Sequence, residues 1–318
     1  MPQTNNTLNR AKDAKNDEFY TFKEDIENEI SKYDLSQFEN KIVYCNCDDP
    51  TWSNFFKFFT RWGQRLNIKE VHFTNFANGK REFKQLTLFE SDDLVETIED
   101  DKKGTAHHWI YTPATGKIIK KQLKGNGDFR SDECLSILNK SDIVVTNPPF
   151  SLFREFINLV VVQNKKQLLI IGDINNVSYI ETFTLIKNNE LWFGNTAVKK
   201  FLTGELQTKT FGNKCWFTNL KVNYRNQPLV LHNQDLTQYK KYDNYDAIEV
   251  SQVKLIPDNY YDPMGVPTSF LQKYNPKQFE ILGQTGVDIK LSKSRPYLNG
   301  KRLYARLIIR RKSNELPN

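Results

Sequence analysis

The chain has 318 residues, of which 38% are hydrophobic and 13% aromatic, so it is long enough to bury a full core and to form two lobes. No stretch approaches the roughly 18 consecutive apolar residues of a membrane span, and the polar first residues lack the apolar run of a secretory signal, so we expect an intracellular protein. The formal net charge of +7 favours a polyanionic partner over an acidic surface or a membrane span.

The four cysteines and four histidines do not form a metal-binding pattern. Cys45 and Cys47 are separated by one residue, whereas zinc ligands are typically separated by about two to four residues. Disulfides are also rare in a reducing compartment. We therefore expect neither a metal site nor a disulfide.

The first quarter of the chain alternates helical and extended patterns. A helical pattern from about residue 22 to 33 precedes a buried strand at Lys41–Cys45. Asp49 can then cap a helix that has Pro50 in its first position. We interpret the aromatic residues on one face of this helix as core: Trp52, Phe55, Phe56, Phe59 and Trp62. A second strand follows at Glu70–Thr74.

Residues 75–124 are markedly more polar than their surroundings. They contain an acidic cluster between residues 92 and 101, which is typical of a solvated face. Two short apolar runs, at 108–111 and 117–119, flank the turn sequence Pro113–Gly116 and predict a hairpin. We expect this block to be an insertion or a mobile loop.

The middle of the chain resumes the alternation. Its predicted elements, in order, are a helix capped by Ser131, a strand at Ile143–Thr146, a helix capped by Ser151, a strand at Gln167–Asp173, a helix at Tyr179–Lys187, and strands at Leu191–Phe193 and Cys215–Thr218 joined by a loop. This order predicts an α/β fold with a doubly wound parallel sheet. The alternation stops near residue 221, so we predict domains at 1–220 and 221–318, the second with a hairpin at Asn299-Gly300.

The turn Asn147-Pro148-Pro149-Phe150 directly follows a buried strand and precedes a helix. Such dipeptides often do no more than end a strand, because proline cannot continue a sheet. Here, however, the turn lies at the edge where open α/β sheets bind ligands. The Asn147 side-chain oxygen and the Pro148 carbonyl can accept both hydrogens of an amino group, while the Phe150 ring stacks on the base. This apparatus suits methylation of an amino nitrogen.

Several strings in the chain resemble the EcoRI-type DNA adenine methyltransferases, which belong to the S-adenosylmethionine-dependent amino-methyltransferases. The Asn-Pro-Pro-Phe turn is shared widely among amino-methyltransferases, whereas other strings are more specific to this branch: 17–21, 43–50, 127–131, 142–154, 241–246 and 264–279. The usual glycine-rich cofactor motif is absent from residues 44–50, an oddity that this branch shares.

The resemblance implies a Rossmann-like, doubly wound methyltransferase sheet with a C-terminal α+β target-recognition domain. It implies transfer of a methyl group from S-adenosyl-L-methionine to the N6 amino group of adenine in double-stranded DNA. The base would be flipped out of the duplex. The protein would then be the cytoplasmic modification enzyme of a prokaryotic or phage restriction-modification system. A cognate endonuclease would share its site without binding it, and we expect a monomer.

The resemblance also assigns site residues. Besides the catalytic turn, it places a set of residues at the cofactor: Asp17, Phe19, Tyr20, Thr21, Asn46, Asp48, Asp49, Asp128 and Phe129. Each aspartate in this set has a plainer alternative. Asp48 and Asp49 can serve as a helix cap and its solvated neighbour, and Asp128 can be a turn residue after Gly127.

A basic run from residue 290 to 312 has no acidic residue and is interleaved with apolar residues. It predicts a folded hairpin with one charged face that neutralises phosphates. The expected DNA contacts are Lys199, Lys200, Arg295, Lys301, Arg302 and Arg306. Polar and aromatic residues between 221 and 279 would read bases.

Two other classes of function fit parts of the pattern. Methyltransferases that act on RNA bases or on protein glutamine also carry an Asn-Pro-Pro-aromatic turn, although the basic C-terminal lobe argues against glutamine and the family-specific strings argue against RNA. A catalytically inert DNA-binding protein on the same scaffold is the alternative outside enzymes. The intact catalytic turn argues against it.

Overall fold

The computed structural model describes residues 19–77, 95–97, 105–203, 207–287 and 294–313. The chain divides into two compact units. The first spans Met1–Asn176 and Gly194–Lys221, and the second spans Val177–Phe193 and Val222–Asn318. The second unit therefore takes in residues 177–193, ahead of the predicted boundary near residue 221.

Most described strands belong to one large sheet. They are β1 (Phe19–Thr21), β2 (Ile42–Cys45), β3 (Glu70–Thr74), β4 (Val95–Thr97), β5 (His107–Thr112), β6 (Lys117–Gln122), β7 (Ile143–Thr146), β8 (Gln167–Asp173), β9 (Trp192–Thr203) and β10 (Thr208–Thr218). Among the described residues these ten strands lie side by side in the order β1-β9-β10-β8-β7-β2-β3-β5-β6-β4.

The centre of this sheet is parallel. β7 pairs in parallel with β2 on one side and β8 on the other, and β2 pairs in parallel with β3. All four residues of β7 are buried, as expected for a strand covered on both faces. β10 and β5 flank this centre in antiparallel orientation. The α/β class is thus confirmed, but the sheet is mixed rather than purely parallel. A large central mixed sheet is compatible with a methyltransferase fold.

The helices described by the structure are α1 (Lys23–Ile30), α2 (Asn54–Trp62), α3 (Asp132–Lys140), α4 (Phe153–Ile157) and α5 (Ile180–Lys187), and α4 continues as a π-helical segment at Asn158–Gln163. On α2, Phe55, Phe56 and Phe59 are buried, as predicted for a core stripe. Short 3-10 helices occur at Leu35–Phe38, Phe150–Leu152, Ile174–Ser178, Asn223–Asn226, Leu236–Gln238, Val253–Leu255 and Thr268–Lys273.

Two of the three predicted helix caps differ from the structure. Ser131 caps α3 as predicted, since its hydroxyl accepts a hydrogen bond from the Cys134 N–H. α2 begins four residues later than predicted, because Ser53 rather than Asp49 accepts from the first N–H groups. α4 begins at Phe153 without a side-chain cap, so Ser151 does not have the predicted role.

The antiparallel hairpins are longer than the sequence indicated. β5 and β6 form the predicted hairpin, closed by Gly116 at a φ of 70°, and it extends the central sheet instead of forming a separate loop. The expected acidic loop between residues 92 and 101 lies largely outside the described residues. β9 and β10 run through most of the segment predicted to be a loop between residues 194 and 214.

The second unit has its own small sheet. β11 (Ile248–Glu249), β12 (Met264–Val266), β13 (Phe279–Gln284) and β16 (Leu307–Arg311) lie in the order β11-β12-β16-β13. The predicted turn at Asn299-Gly300 connects β14 (Tyr297–Leu298) to β15 (Lys301–Arg302), with φ values of 50° and 71° that suit this pair. α5 packs against β13, and the Lys187 ammonium donates to the Leu282 carbonyl over 2.7 Å.

Candidate active site

The catalytic turn lies at the carboxyl end of β7, in the centre of the parallel strands. β7 ends at Thr146, and the two prolines that follow Asn147 cannot continue its hydrogen bonding. The Leu152 N–H then donates to the Pro149 carbonyl over 3.0 Å and starts the 3-10 turn that carries Phe150. The turn is therefore short and held at both ends.

The side-chain amide of Asn147 has a defined orientation. Its Nδ2 donates to the backbone carbonyl of Phe19. Its Oδ1 is buried and has no hydrogen-bond partner among the described residues. A buried acceptor without a partner is costly, so such an atom commonly marks a site that a ligand completes. The turn therefore presents a free acceptor beside the bare carbonyl of Pro148.

Asp48 braces this turn from the neighbouring strand β2. Its carboxylate accepts the Ser53 hydroxyl at 2.9 Å and the Thr146 hydroxyl at 2.6 Å. Burial raises the pKa of Asp48 to about 7. Both carboxylate oxygens therefore bind protein hydroxyls, and Asp48 connects the start of α2 to the residue before Asn147. This position is that of a support for the site.

Other residues predicted to border the cofactor lie around the same edge. The Asn46 Nδ2 and the Thr21 hydroxyl are buried, and each lacks a partner among the described residues. The Thr21 carbonyl accepts from Asn54 Nδ2 over 2.8 Å, which fixes β1 against the start of α2. These two atoms are available to a polar ligand at the carboxyl end of β2.

Tyr20 and Asp49 have local roles in the structure. The Tyr20 ring lies 4.1 Å from the Trp52 ring, and burial, followed by the Asp49 charge, raises the pKa of Tyr20 to about 12. Asp49 accepts from the N–H and hydroxyl of Thr51, so its side chain closes a turn ahead of α2. Asp17 lies outside the described residues.

The loop before α3 is fixed to the end of β3. Gly127 has a φ of 75°, and a Cβ there would lie 2.0 Å from the Asn75 carbonyl oxygen, so only glycine fits. The Asp128 carboxylate pairs with Arg130 at 2.7 Å, and these hydrogen bonds lower the pKa of Asp128. Phe129 is buried, with its ring 5.1 Å from that of Phe156.

Aromatic rings surround Phe150. The Phe19 ring stacks on it at a centroid distance of 5.6 Å and an interplanar angle of 20°. Phe201 of β9 and Phe211 of β10 approach the Phe150 ring edge-on, at 5.9 and 6.4 Å. The Lys214 ammonium lies 4.1 Å from the centroid of Phe150. We call Phe19, Phe150, Phe201 and Phe211 the aromatic cluster.

Lys214 is nearly buried and its charge is balanced within the site. Its ammonium forms an ion pair with Asp173, the last residue of β8, at 2.9 Å. Asn213 donates to the same carboxylate. The pair places one cation against the ring of Phe150 and fixes the end of β10 to β8.

The comparisons with known proteins agree with this geometry. Residues 7–312 match the family described as adenine-specific methyltransferase EcoRI. The Type II methyltransferase M.EcoRI of Escherichia coli is 40% identical, over 97% of this chain and 97% of its own length. The Type II methyltransferases M.MgeORF184P of Mycoplasma genitalium and M.MpnI of Mycoplasma pneumoniae are 39% and 36% identical, each over 96% of this chain and 98% of its own. The chain belongs to the EcoRI-type adenine-specific methyltransferase family.

Membership of the EcoRI-type family confirms the predicted enzyme class, an adenine-specific DNA methyltransferase. No solved structure matches the chain. The described residues contain no helix long and apolar enough to cross a membrane. They also contain no group of three histidine, cysteine, aspartate or glutamate side chains placed to bind a metal ion.

The predicted DNA contacts of this EcoRI-type chain fall into two groups. Lys199 and Lys200 are exposed on β9, and Arg295, Lys301 and Arg302 are exposed on or beside the β14–β15 hairpin. Arg306 differs, because its guanidinium pairs with Glu249 at 2.8 Å and its side chain is only 14% exposed. An arginine whose charge is matched inside the fold has little left to offer a phosphate.

Sequence reasoning missed part of the aromatic cluster and its cations. Phe201, Phe211, Lys209 and Lys214 belong to β9 and β10, in the segment predicted to be a loop. The available signal was period-two alternation, since Val198 and Phe201 are buried between exposed lysines. Asp173 was read only as the end of a strand.

Proposed function

We propose that this enzyme transfers a methyl group from S-adenosyl-L-methionine to the N6 amino group of an adenine in double-stranded DNA. The observation that supports this most directly is the unpaired, buried Oδ1 of Asn147, beside the Pro148 carbonyl and the Phe150 ring. Two acceptors and a ring match the hydrogens and the face of an adenine. Membership of the EcoRI-type family supplies the adenine specificity.

The two acceptors would prepare the amino nitrogen for attack. The lone pair of N6 is delocalised into the adenine ring, which makes the free amino group a poor nucleophile. Hydrogen bonds from both N–H groups to Asn147 Oδ1 and the Pro148 carbonyl favour a tetrahedral nitrogen whose lone pair is available. The positive charge that grows on N6 then faces two fixed dipoles. Asn147 Nδ2 donates to Phe19, so the amide cannot turn its oxygen away.

The adenine must leave the duplex to reach this turn. The N6 group of a paired base is occupied, and the catalytic acceptors lie at the carboxyl end of a buried strand. Flipping costs a few kcal/mol of stacking and pairing, which contacts with the aromatic cluster would offset. The Phe150 ring provides the first of those contacts.

The donor-binding residues fit a polar ligand at the ends of β2 and β7. The unpaired Asn46 Nδ2 and Thr21 hydroxyl would bind it, Tyr20 and Asp49 would border it, and Asp48 would support both strands. When bound, S-adenosyl-L-methionine supplies an electrophilic methyl group. Asp128 and Phe129 stay predictions for its adenine end, although Asp128 would first have to share its contact with Arg130.

Binding of DNA would use exposed cations. Lys199 and Lys200 in the first unit, and Arg295, Lys301 and Arg302 in the second, are free to contact phosphates by their exposure. We propose that Arg306 instead holds Glu249 within the second unit and contributes only indirectly. The second unit would be the α+β target-recognition domain, and the large sheet a Rossmann-like methyltransferase domain.

The names of the three relatives, all Type II methyltransferases, favour a restriction-modification role. In that role the enzyme would work in the cytoplasm, as a monomer, and would share its site with an endonuclease that it does not bind. Methylation of RNA or of protein glutamine is the second candidate class, and the aromatic and acceptor groups alone do not separate them.

The decisive experiment is methyl transfer from radiolabelled S-adenosyl-L-methionine to duplex DNA, RNA and protein in parallel. We expect label in N6-methyladenine of duplex DNA only, and sequencing of the modified bases gives the recognised site. Asn147→Ala should lose at least about a hundredfold in kcat, as when one donor of a charge-stabilising site is removed. Asn147→Asp, which keeps an acceptor, is the matched control and should retain more activity.

DNA binding separates the remaining alternative. Asn147→Ala should still bind duplex DNA, since the exposed cations are untouched. If the unaltered protein binds DNA but transfers no methyl group to any of the three substrates, the proposal is wrong and the inert DNA-binding scaffold is favoured. Label in RNA or protein instead of DNA would favour the other methyltransferases.

A further inference from the structure

Phe19 occupies a face of the ring that the proposed function gives to the target base. Its ring stacks on Phe150 at 5.6 Å with an interplanar angle of 20°. This offset-parallel geometry is the one that a nucleobase adopts on an aromatic side chain. In the structure, therefore, a phenylalanine holds the position of a stacked base.

The backbone of Phe19 is tied to the same turn. Its carbonyl accepts from Asn147 Nδ2, whose Oδ1 on the other side of the amide is the unpaired acceptor. The Phe19 ring thus lies next to both groups that an adenine would contact, the acceptor and the stacking face. No other described ring is stacked on Phe150, since Phe201 and Phe211 approach it edge-on.

The surroundings permit the two stacked rings to separate. Phe201 is fully buried and stands edge-on to both, at 6.2 Å from Phe19 and 5.9 Å from Phe150. Phe19 and Phe150 are themselves only half-buried. Phe19 belongs to the three-residue strand β1 at the edge of the sheet, which pairs with β9 alone. Its displacement disturbs few hydrogen bonds, whereas Phe201 serves as a fixed floor.

We infer that Phe19 is the second wall of the target-base pocket and that the flipped adenine inserts between Phe19 and Phe150. Two ring contacts in series, each about 3.5 Å, place the walls about 7 Å apart, so Phe19 must withdraw from its present stack. The free enzyme keeps the pocket closed with its own ring, and the base exchanges one ring–ring contact for two. This inference rests on the proposed function.

The Lys209 ammonium supports a position at the mouth of the pocket. It lies 5.1 Å from the centroid of Phe19 and 5.3 Å from that of Phe211. Lys209 is exposed, so the cation sits at the solvent side of the aromatic cluster. A cation there is placed to meet the backbone of an extruded nucleotide whose base stacks further in.

The test compares two duplexes that carry the recognised site, one with adenine and one with an abasic residue at the target position. Binding is measured with S-adenosylhomocysteine present, so that no transfer occurs. Phe19→Leu should raise the Kd for the adenine duplex about tenfold, because base–aromatic stacking is worth on the order of 1–3 kcal/mol. The Kd for the abasic duplex should not change. Phe19→Tyr should restore tight binding.

Tyr20→Leu is the matched control, since it alters the same strand on the side that packs on Trp52. It should change the Kd for both duplexes by the same factor. An equal loss on both duplexes with Phe19→Leu, or no loss, would overturn the second wall while leaving the methyltransferase proposal intact. Failure of the unaltered enzyme to methylate DNA would instead refute the proposed function on which this test depends.

Discussion

The side chain of Asp48 shows how one buried carboxyl group can serve the site without touching a substrate. It binds the hydroxyls of Ser53 and Thr146, and no cation is among the groups that shift its pKa. Burial therefore dominates and raises the pKa to about 7, well above its ordinary value near 4. The folded protein keeps a proton on Asp48 in a pH range where the unfolded chain has released it.

This difference predicts a pH dependence of stability. Between about pH 4 and pH 7 the unfolded state binds fewer protons than the folded state, so the contribution of Asp48 to the free energy of unfolding falls as pH rises. Asp48→Asn removes the titration. The free energy of unfolding of the variant minus that of the unaltered protein should therefore become more positive between about pH 5 and pH 8, in urea titrations at several pH values.

Asp34→Asn is the control for this prediction. Hydrogen bonds from Ser36 lower the pKa of Asp34, so its titration lies below the tested range and its difference should stay flat. A difference for Asp48→Asn that is flat or becomes more negative with pH would show that Asp48 is ionised throughout.

At the scale of elements, α2 illustrates why boundaries were harder to predict than the elements themselves. Its aromatic stripe at helical spacing correctly indicated a buried helix. Asp49 and Pro50 imitate a helix start, but the Asp49 carboxylate is used by Thr51, and Ser53 provides the cap instead. Which of two capping residues is used depends on tertiary contacts, here the bond from Ser53 to Asp48.

Loss of the Ser53 hydroxyl should therefore destabilise more than a cap alone. Ser53→Ala removes the acceptor for the Phe55 and Phe56 N–H groups and also a donor to Asp48. We expect the free energy of unfolding to fall by about 2 kcal/mol, the upper range for a cap. Ser31→Ala, which removes an exposed hydroxyl at the end of α1, should change it by less than about 0.5 kcal/mol in the same urea titration. Equal effects would show that the Ser53 cap contributes nothing special.

The β9–β10 hairpin shows the opposite limit of sequence reasoning. Its residues alternate only loosely, with adjacent lysines at 199 and 200, so the pattern favoured a loop. The strands form because β10 pairs with β8 over five residues, a partner that lies far away in sequence. Local pattern cannot show such a pairing. Half of the aromatic cluster was therefore missed, although the catalytic turn that it surrounds was visible in the sequence.

Across the whole molecule, the sequence predicted the α/β class, the family and the catalytic turn, because each depends on contiguous residues. It could not assign α5. The apolar face of that helix fits any sheet, and only the structure shows it packing against β13 in the second unit. The same limit applies to charge. A net charge of +7 indicates a polyanionic partner, but it does not tell an exposed cation from one matched inside the fold.

Lys199, Lys200 and Arg306 allow this distinction to be tested through the salt dependence of DNA binding. Each phosphate contact adds about 0.9 to the slope of log K against log salt concentration, through release of counterions. Replacing Lys199 and Lys200 together by glutamine should flatten the slope by about two, with stability unchanged. Arg306→Gln should leave the slope as it is but lower the free energy of unfolding by roughly 3 kcal/mol, since it leaves the nearly buried Glu249 unpaired. If Arg306→Gln flattens the slope without loss of stability, Arg306 contacts a phosphate as the sequence first predicted, and the ion pair with Glu249 must open when DNA binds.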